Sequence, residues 1–373
     1  MKYWRGYLVA AILAACTWGF REFAQTHSKL VDMIYPYVTR LVQNFMADWS
    51  SGVTFCLWQA ILLALIAVGV ATIVLMIIFK WNPIQWFGWI LAAVSLILLL
   101  HTGIFGMNEY AGPIDEDLRL IETDCSDEQM EAVAIYYRDK ANAFSSQVGT
   151  LELSVLREEA AAGFDTLVYD HYYSVFAGSN VPVKTLDMAN WFTKRGEMGY
   201  TVPITGEAAV NPETPGFMQP FAICREMCYR KCIASNRDKH FGAFLACQAN
   251  ESAEFQYAAY LMAYRYCLMA LPQSLASEVN AQANAQVREA VDIWDAFVAP
   301  AEARAAEAAE KEGIKDTTNR EIAELILRWH YQEVVLPSIT EPEIQFDPMD
   351  ETQVDLTGLP HAPVPTEPVE EAA

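Results

Sequence analysis

The sequence predicts a mainly α protein: three N-terminal transmembrane helices, then a predominantly helical domain with one or two short strands, closed by an acidic tail. Three observations predict it. Asp, Glu, Lys and Arg are absent from Gly6 to Phe20, from Val53 to Phe79 and from Trp81 to Asn108, and the last two runs exceed the ~20 apolar residues that span a bilayer. Most of the chain after Asn108 reads as helices at the 3.6-residue period. From Glu341 to Ala373 there are nine acidic residues, six prolines and no Lys or Arg, the composition of a disordered tail. The expected divisions are a membrane region at 1–107 with spans at about 6–20, 53–79 and 84–107, a domain at 108–338 and the tail at 339–373.

The first apolar run is preceded by Lys2 and Arg5 and fits a short membrane anchor or a cleaved signal peptide. Leu13-Ala14-Ala15-Cys16 also fits the small-residue pattern before a lipidated cysteine; an uncleaved helix is the reading adopted. Val31 to Val42 places apolar and aromatic residues near helical spacing, as in a helix along the outer membrane surface. Lys2 and Arg5, with Lys80 in the turn Lys80-Trp81-Asn82-Pro83, belong on the cytoplasmic side. That puts the segment from Arg21 to Gly52 and everything after Asn108 outside, against a weaker opposing bias from Arg21, Lys29 and Arg40.

Gly112-Pro113 breaks the third span. Ser126, followed by Asp127 and Glu128, is an N-cap for one or two amphipathic helices from Asp127 to Arg157. Val181 to Asn211, rich in β-branched residues, Pro and Gly, reads as one or two short strands. Helices follow at Phe221 to Ile233, Arg237 to Asn250 and Ala253 to Leu271, then a helical region from Ser277 to Leu327 loosened near Gly313. The net charge of −22 argues against a nucleic-acid partner, which needs a basic footprint. Eight cysteines lack the spacing of a small disulfide scaffold and read as free buried thiols. The spans hold almost no ionisable residue to line a transport path.

The hexapeptide Cys224-Arg225-Glu226-Met227-Cys228-Tyr229 carries most of the functional information. In an H-E-x-x-H motif, two His four apart on one helical face bind zinc and the Glu is the general base. Here Glu226 has that Glu's place, with Arg225 and Tyr229 where the His would stand. Protonated arginine has no lone pair to donate, and without zinc to acidify a water, Glu226 has no activated nucleophile to deprotonate.

The run Asn108-x-Tyr110-x-x-Pro113, then Lys140-Ala141-Asn142, the segment from Pro203-Ile204-Thr205-Gly206-Glu207 to Asn211, Pro220-Phe221-Ala222-Ile223 leading into the hexapeptide, and Phe244-Leu245-Ala246-Cys247 resemble the bacterial membrane proteins grouped as domain of unknown function 3810. The likeness covers most of residues 1 to 330, the three spans included. Typical members carry H-E-M-A-H in this helix and an acidic residue in the next, and look like membrane-anchored zincins. The resemblance therefore implies a zincin-like, extracytoplasmic domain on the bacterial cytoplasmic membrane. It puts the metal-ligand positions at Arg225, Tyr229 and Asp238, the general base at Glu226, and a substrate groove along a peptide-edge strand at Thr205, Gly206 and Glu207.

With Arg225 and Tyr229 in place of the ligands, no cofactor is expected. Arg225 would instead bridge Glu226 and Asp238, with Tyr229 hydrogen-bonded to Asp238. The function expected is binding or scaffolding by a pseudo-metallopeptidase, with the lipid bilayer and a peptide or envelope protein as partners. The alternative is an active metallopeptidase whose zinc has the atypical ligands Asp238, Cys228 and His240. Cys224, Cys228 and Cys232 share a helical stripe but span ~12 Å, too far for one zinc, and read as small packing residues. Arg225, Arg230, Lys231, Arg237, Lys239 and His240 form a basic cluster, an anion pocket or, as the plainer reading, surface ion pairs. His101 reads as interfacial and His171 as a histidine without a detectable partner.

Overall fold

The computed structural model describes residues 4–149 and 151–340; the expected acidic tail lies beyond them except for its first two residues. The chain begins with α1 (Arg5–Thr26), α2 (Ser28–Ser51), α3 (Leu57–Ile78) and α4 (Pro83–Ile104). Of these, α1, α3 and α4 are long and apolar enough to cross a membrane. Asn82 starts α4 by accepting from Ile84 N at 2.9 Å and Gln85 N at 3.2 Å, with Pro83 at a position that has no amide to lose.

Helices α1 and α4 run parallel and meet through glycine. A Cβ on Gly6 would lie 2.5 Å from the Gly88 carbonyl carbon, so only bare backbone permits this approach. Tyr7 Oη donates to Ile84 O at 3.0 Å beside it, and at the other end Arg21 Nε donates to Tyr110 Oη at 3.3 Å. Helix α3 stands apart, with only Gln59 buried.

Helix α2 has two opposed faces. One is bonded to the rest of the chain: Asp32 accepts from Gly112 N at 2.7 Å, Gln43 Nε2 donates to Pro203 O at 3.0 Å, and Asn44 accepts from Ser179 N at 2.7 Å. The other carries Met33, Tyr37, Leu41, Phe45 and Trp49, all exposed.

The globular part contains α5 (Ile114–Asp117), α6 (Asp127–Phe144), α7 (Leu153–Tyr169), β1 (Lys184–Thr185), α8 (Ala189–Thr193), β2 (Gly199–Val202), β3 (Glu207–Val210), α9 (Gln219–Arg230), α10 (Asn236–Gln248), α11 (Ala253–Ala270), α12 (Gln273–Ala281), α13 (Ala285–Lys311), α14 (Thr318–His330) and α15 (Leu336–Thr340). A Ser126–Gln129 capping box opens α6, as its sequence requires. The central helix α11 packs against α6, α10 and α14, and Tyr137, Phe244, Tyr264 and Trp294 fill the core. Three strands form the sheet where one or two were expected, because β1 is two residues long and too short to show alternation. The order is β1-β3-β2: β1 is parallel to β3 with Lys184 opposite Ala209, and β2 is antiparallel with Tyr200 opposite Ala209.

Part of the expected basic cluster is buried structure and neither an anion pocket nor a set of surface ion pairs. Lys231 Nζ donates to Asn180 Oδ1 at 2.7 Å and Gly178 O at 3.2 Å, Arg230 Nη2 to Ser179 O at 3.2 Å, and Arg40 Nη1 to Ser174 O at 2.9 Å. Carbonyls of the loop at 174–181 thus accept from three cations. Burial lowers the Lys231 amine from 10.5 to about 7, with Arg230 and Arg40 adding to the effect and Cys228 and Asp165 opposing it. Between those two values the unfolded chain binds the extra proton, so stability is lowest below pH about 7 and rises as pH climbs above it. Unfolding of the detergent-solubilised chain should show this rise, on the order of 2 kcal/mol from Lys231, and Lys231→Met should lessen it, leaving the part that comes from Lys239, whose amine burial also lowers to about 7.

Candidate functional site

Helix α9 begins with Pro220 in its first turn and packs against β2, β3, α10 and α11. This buries Glu226, which is 3% exposed. Each carboxylate oxygen has a partner: Oε2 accepts from Thr201 Oγ1 at 2.7 Å, and Oε1 pairs with Arg225 Nη1. Thr201 and Gly199 lie on the same face of β2 by the two-residue period. Glycine is required there, since a Cβ on Gly199 would sit 2.6 Å from Glu226 Cγ. Gly199→Ala should therefore destabilise the chain by about 2 kcal/mol, read from its unfolding midpoint.

Arg225 continues away from Glu226. Its Nε donates to His240 Nε2 at 2.7 Å. Burial, then Arg225, Lys239 and Arg265, hold His240 well below the usual imidazole range, so it is neutral and accepts this bond on Nε2. Tyr229 has its ring centroid 4.6 Å from that of Phe105 and Lys239 Nζ 5.1 Å from the ring centre, a cation–π distance. Burial raises the Tyr229 phenol, which keeps it protonated.

Two expectations need correction. Arg225 does not bridge to Asp238, and Tyr229 does not bond it: Asp238 accepts from Arg237 Nε at 2.8 Å while its own N–H donates to Ser235 Oγ at 3.0 Å. Asp238 sits in the first turn of α10 beside a nearer guanidinium, and it lines a separate recess with Asp32, Arg40 and Asp117. Thr205, Gly206 and Glu207 do not line a groove. Gly206, at φ +65°, turns the chain against α2, where a Cβ would lie 2.5 Å from Ala47 N. Thr205 Oγ1 donates to Val202 O at 3.3 Å. Glu207 is buried, paired with Lys184, and accepts from Leu57 N at 2.8 Å and Trp58 N at 2.9 Å, thus capping α3. The strand β3 is paired on both sides and cannot take another. Asn211 N donates to Met198 O at 2.9 Å, which with the register turns Met198, Tyr200 and Val202 toward β3 and leaves the backbone of Gly199 and Thr201 at the free edge.

That edge borders a cleft of ≈ 270 Å³ lined by Gly199 to Pro203, Arg225, Glu226 and Tyr229, with Lys239 and His101 also in its wall. Burial and Arg225 lower the Lys239 amine to about 7. Arg225 also lines a second cavity of ≈ 660 Å³ with His240, Arg265 and Trp294. Gly199 and Thr201 were not singled out from the sequence, where their alternation just before Pro203 was the available signal, and Lys239 was read only as one of a basic cluster.

A zincin centre needs three lone-pair donors around the ion, and these residues do not fit one. Arg225 has none and is committed to Glu226 and His240. Among the described residues no group of three or more His, Cys, Asp or Glu side chains is placed to hold a metal ion, and Asp238, Cys228 and His240 are no exception. Cys228 is fully buried, with its Sγ close to Gly242.

The sequence profile described as protein of unknown function (DUF3810) matches residues 31–311. The chain belongs to that family, whose shared region runs from α2 to the end of α13 and contains the cleft. No curated protein and no solved structure matches it.

Proposed function

We propose that this chain is a multi-pass protein of the bacterial cytoplasmic membrane whose outward-facing, zincin-like domain binds an extended polypeptide and hydrolyses none. The observation that carries this reading is the closed pair of Arg225 and Glu226. A carboxylate whose two oxygens are held by Thr201 Oγ1 and by a guanidinium is a weakened base, and the fixed positive charge beside it repels the cation that would have to acidify a water. The free edge of β2 supplies what binding needs, since an added strand gains affinity from main-chain hydrogen bonds. The outward placement is supported by the pairing of Tyr7 with Ile84, which sets the start of α1 and the Lys80 turn at one end, the basic end expected to stay inside.

A randomised peptide library screened on the full chain in lipid nanodiscs tests the proposal. Bound peptides should be recovered intact, and N-methylation of alternate residues should weaken binding at least about tenfold by removing strand donors. Cleavage that disappears in Glu226→Gln would overturn the reading.

A further inference from the structure

The cleft lies at the membrane end of the domain. His101, in the last turn of α4, is in its wall, and Phe105, which follows that helix, is fully buried against Tyr229. On the other flank Trp58, in the first turn of α3, sets its ring 5.5 Å from that of Tyr200 on β2. The strand β2 therefore joins the domain-side ends of α3 and α4. These two helices meet again at the turn 79–82. Between the two joints none of the apolar window of α3 is buried by the described residues, while α4 has α1 along one side. The space below β2 is thus bounded by lipid-facing side chains of both helices.

Helix α2 fixes this mouth at the bilayer surface. It follows the domain-side end of α1 and precedes that of α3, so both its ends stand at one membrane level although its 24 residues extend about 36 Å. With its polar face bonded to the domain and Met33, Tyr37, Leu41, Phe45 and Trp49 exposed on the other, it has the build of a helix lying in the interface plane. The residues around the cleft suit the same level: Tyr200, Tyr229 and His101 are amphipathic rings, and Arg225 and Glu226 neutralise each other, so no strongly charged ligand is called for.

We infer that the occupant of the cleft is the membrane-proximal extended stretch of a second membrane-anchored polypeptide, entering sideways between α3 and α4 to pair with β2. This rests on the proposed peptide-binding function and adds to it the class of partner and its route.

Photocrosslinking in nanodiscs tests it. A benzophenone is attached at cysteine in Tyr200→Cys for the cleft, and in Leu62→Cys and Leu98→Cys for the route. Leu62 follows Trp58 by one turn, Leu98 precedes His101 by one turn, and both are exposed, so the two route variants leave the core untouched. Cys16 and Cys125, the natural cysteines that are not buried, are changed to Ser. The probes are a span of about twenty leucines with a randomised extended flank, and the same flank without the span. The spanning probe should be captured from all three positions, and at least about tenfold more than the free flank at Tyr200→Cys, since the membrane raises its effective concentration. Equal capture of both probes at Tyr200→Cys with none at Leu62→Cys or Leu98→Cys would overturn lateral entry and leave peptide binding standing. No capture of either probe at Tyr200→Cys would overturn both.

Discussion

Arg225→Leu should destabilise the chain by about 3–5 kcal/mol, the usual effect of leaving one member of a buried ion pair behind. Glu226 is 3% exposed, and without the guanidinium its charge keeps only the Thr201 hydroxyl at 2.7 Å. Glu226→Leu alone should be similarly damaging, because Arg225, with a side chain 13% exposed, then loses its counter-charge. The double substitution Arg225→Leu/Glu226→Leu should recover most of the loss, since two apolar side chains replace the pair and its desolvation. Denaturant unfolding of the four proteins in one detergent measures the cycle. Additive losses would mean that the two side chains do not depend on each other, and the role given to Arg225 would fall.

Glu207→Ala should be comparably severe, again about 3–5 kcal/mol, and its effect should reach the membrane region. Glu207 holds Lys184 and caps the first two amides of α3 at 2.8 and 2.9 Å. Lys184 Nζ also donates to Ser50 O at 2.9 Å and Phe55 O at 3.0 Å, so one ion pair fastens the end of α2, the link to α3 and the sheet together. Removing the carboxylate leaves a buried amine with carbonyls alone and a helix N-terminus without its anion. Limited proteolysis should then cut the link at residues 52–56 faster than in the wild type. Lys184→Met should be milder, because Glu207 keeps both amides of α3. Unchanged protease resistance in Glu207→Ala would show that α3 is held by other contacts.

The membrane region was legible in the sequence because its signal is local: long runs without charge and the Asn82-Pro83 start. The long helices were legible for the same reason, in their periodicity and the Ser126 cap. The sheet was less so. Strand β1 is defined by its partner β3 and not by any pattern of its own. At the site, spacing placed Arg225, Glu226 and Tyr229 on one helix and Asp238 on the next, yet could not say which neighbour each long side chain would choose. Arg237, next to Asp238, took the carboxylate that Arg225 was expected to reach, and His240 took the place of Asp238. Glu207 is the clearest case of an illegible role. Its partners Leu57 and Trp58 are 150 and 149 residues away in sequence, and nothing near Glu207 announces a helix cap.

The claim that the guanidinium of Arg225, paired with Glu226, excludes a zinc ion from this site is tested most directly by the zinc content of the purified full chain after equilibration with zinc and removal of excess. No stoichiometric zinc is the expected result. One zinc per chain, displaced by a chelator and restored on re-addition, would contradict it.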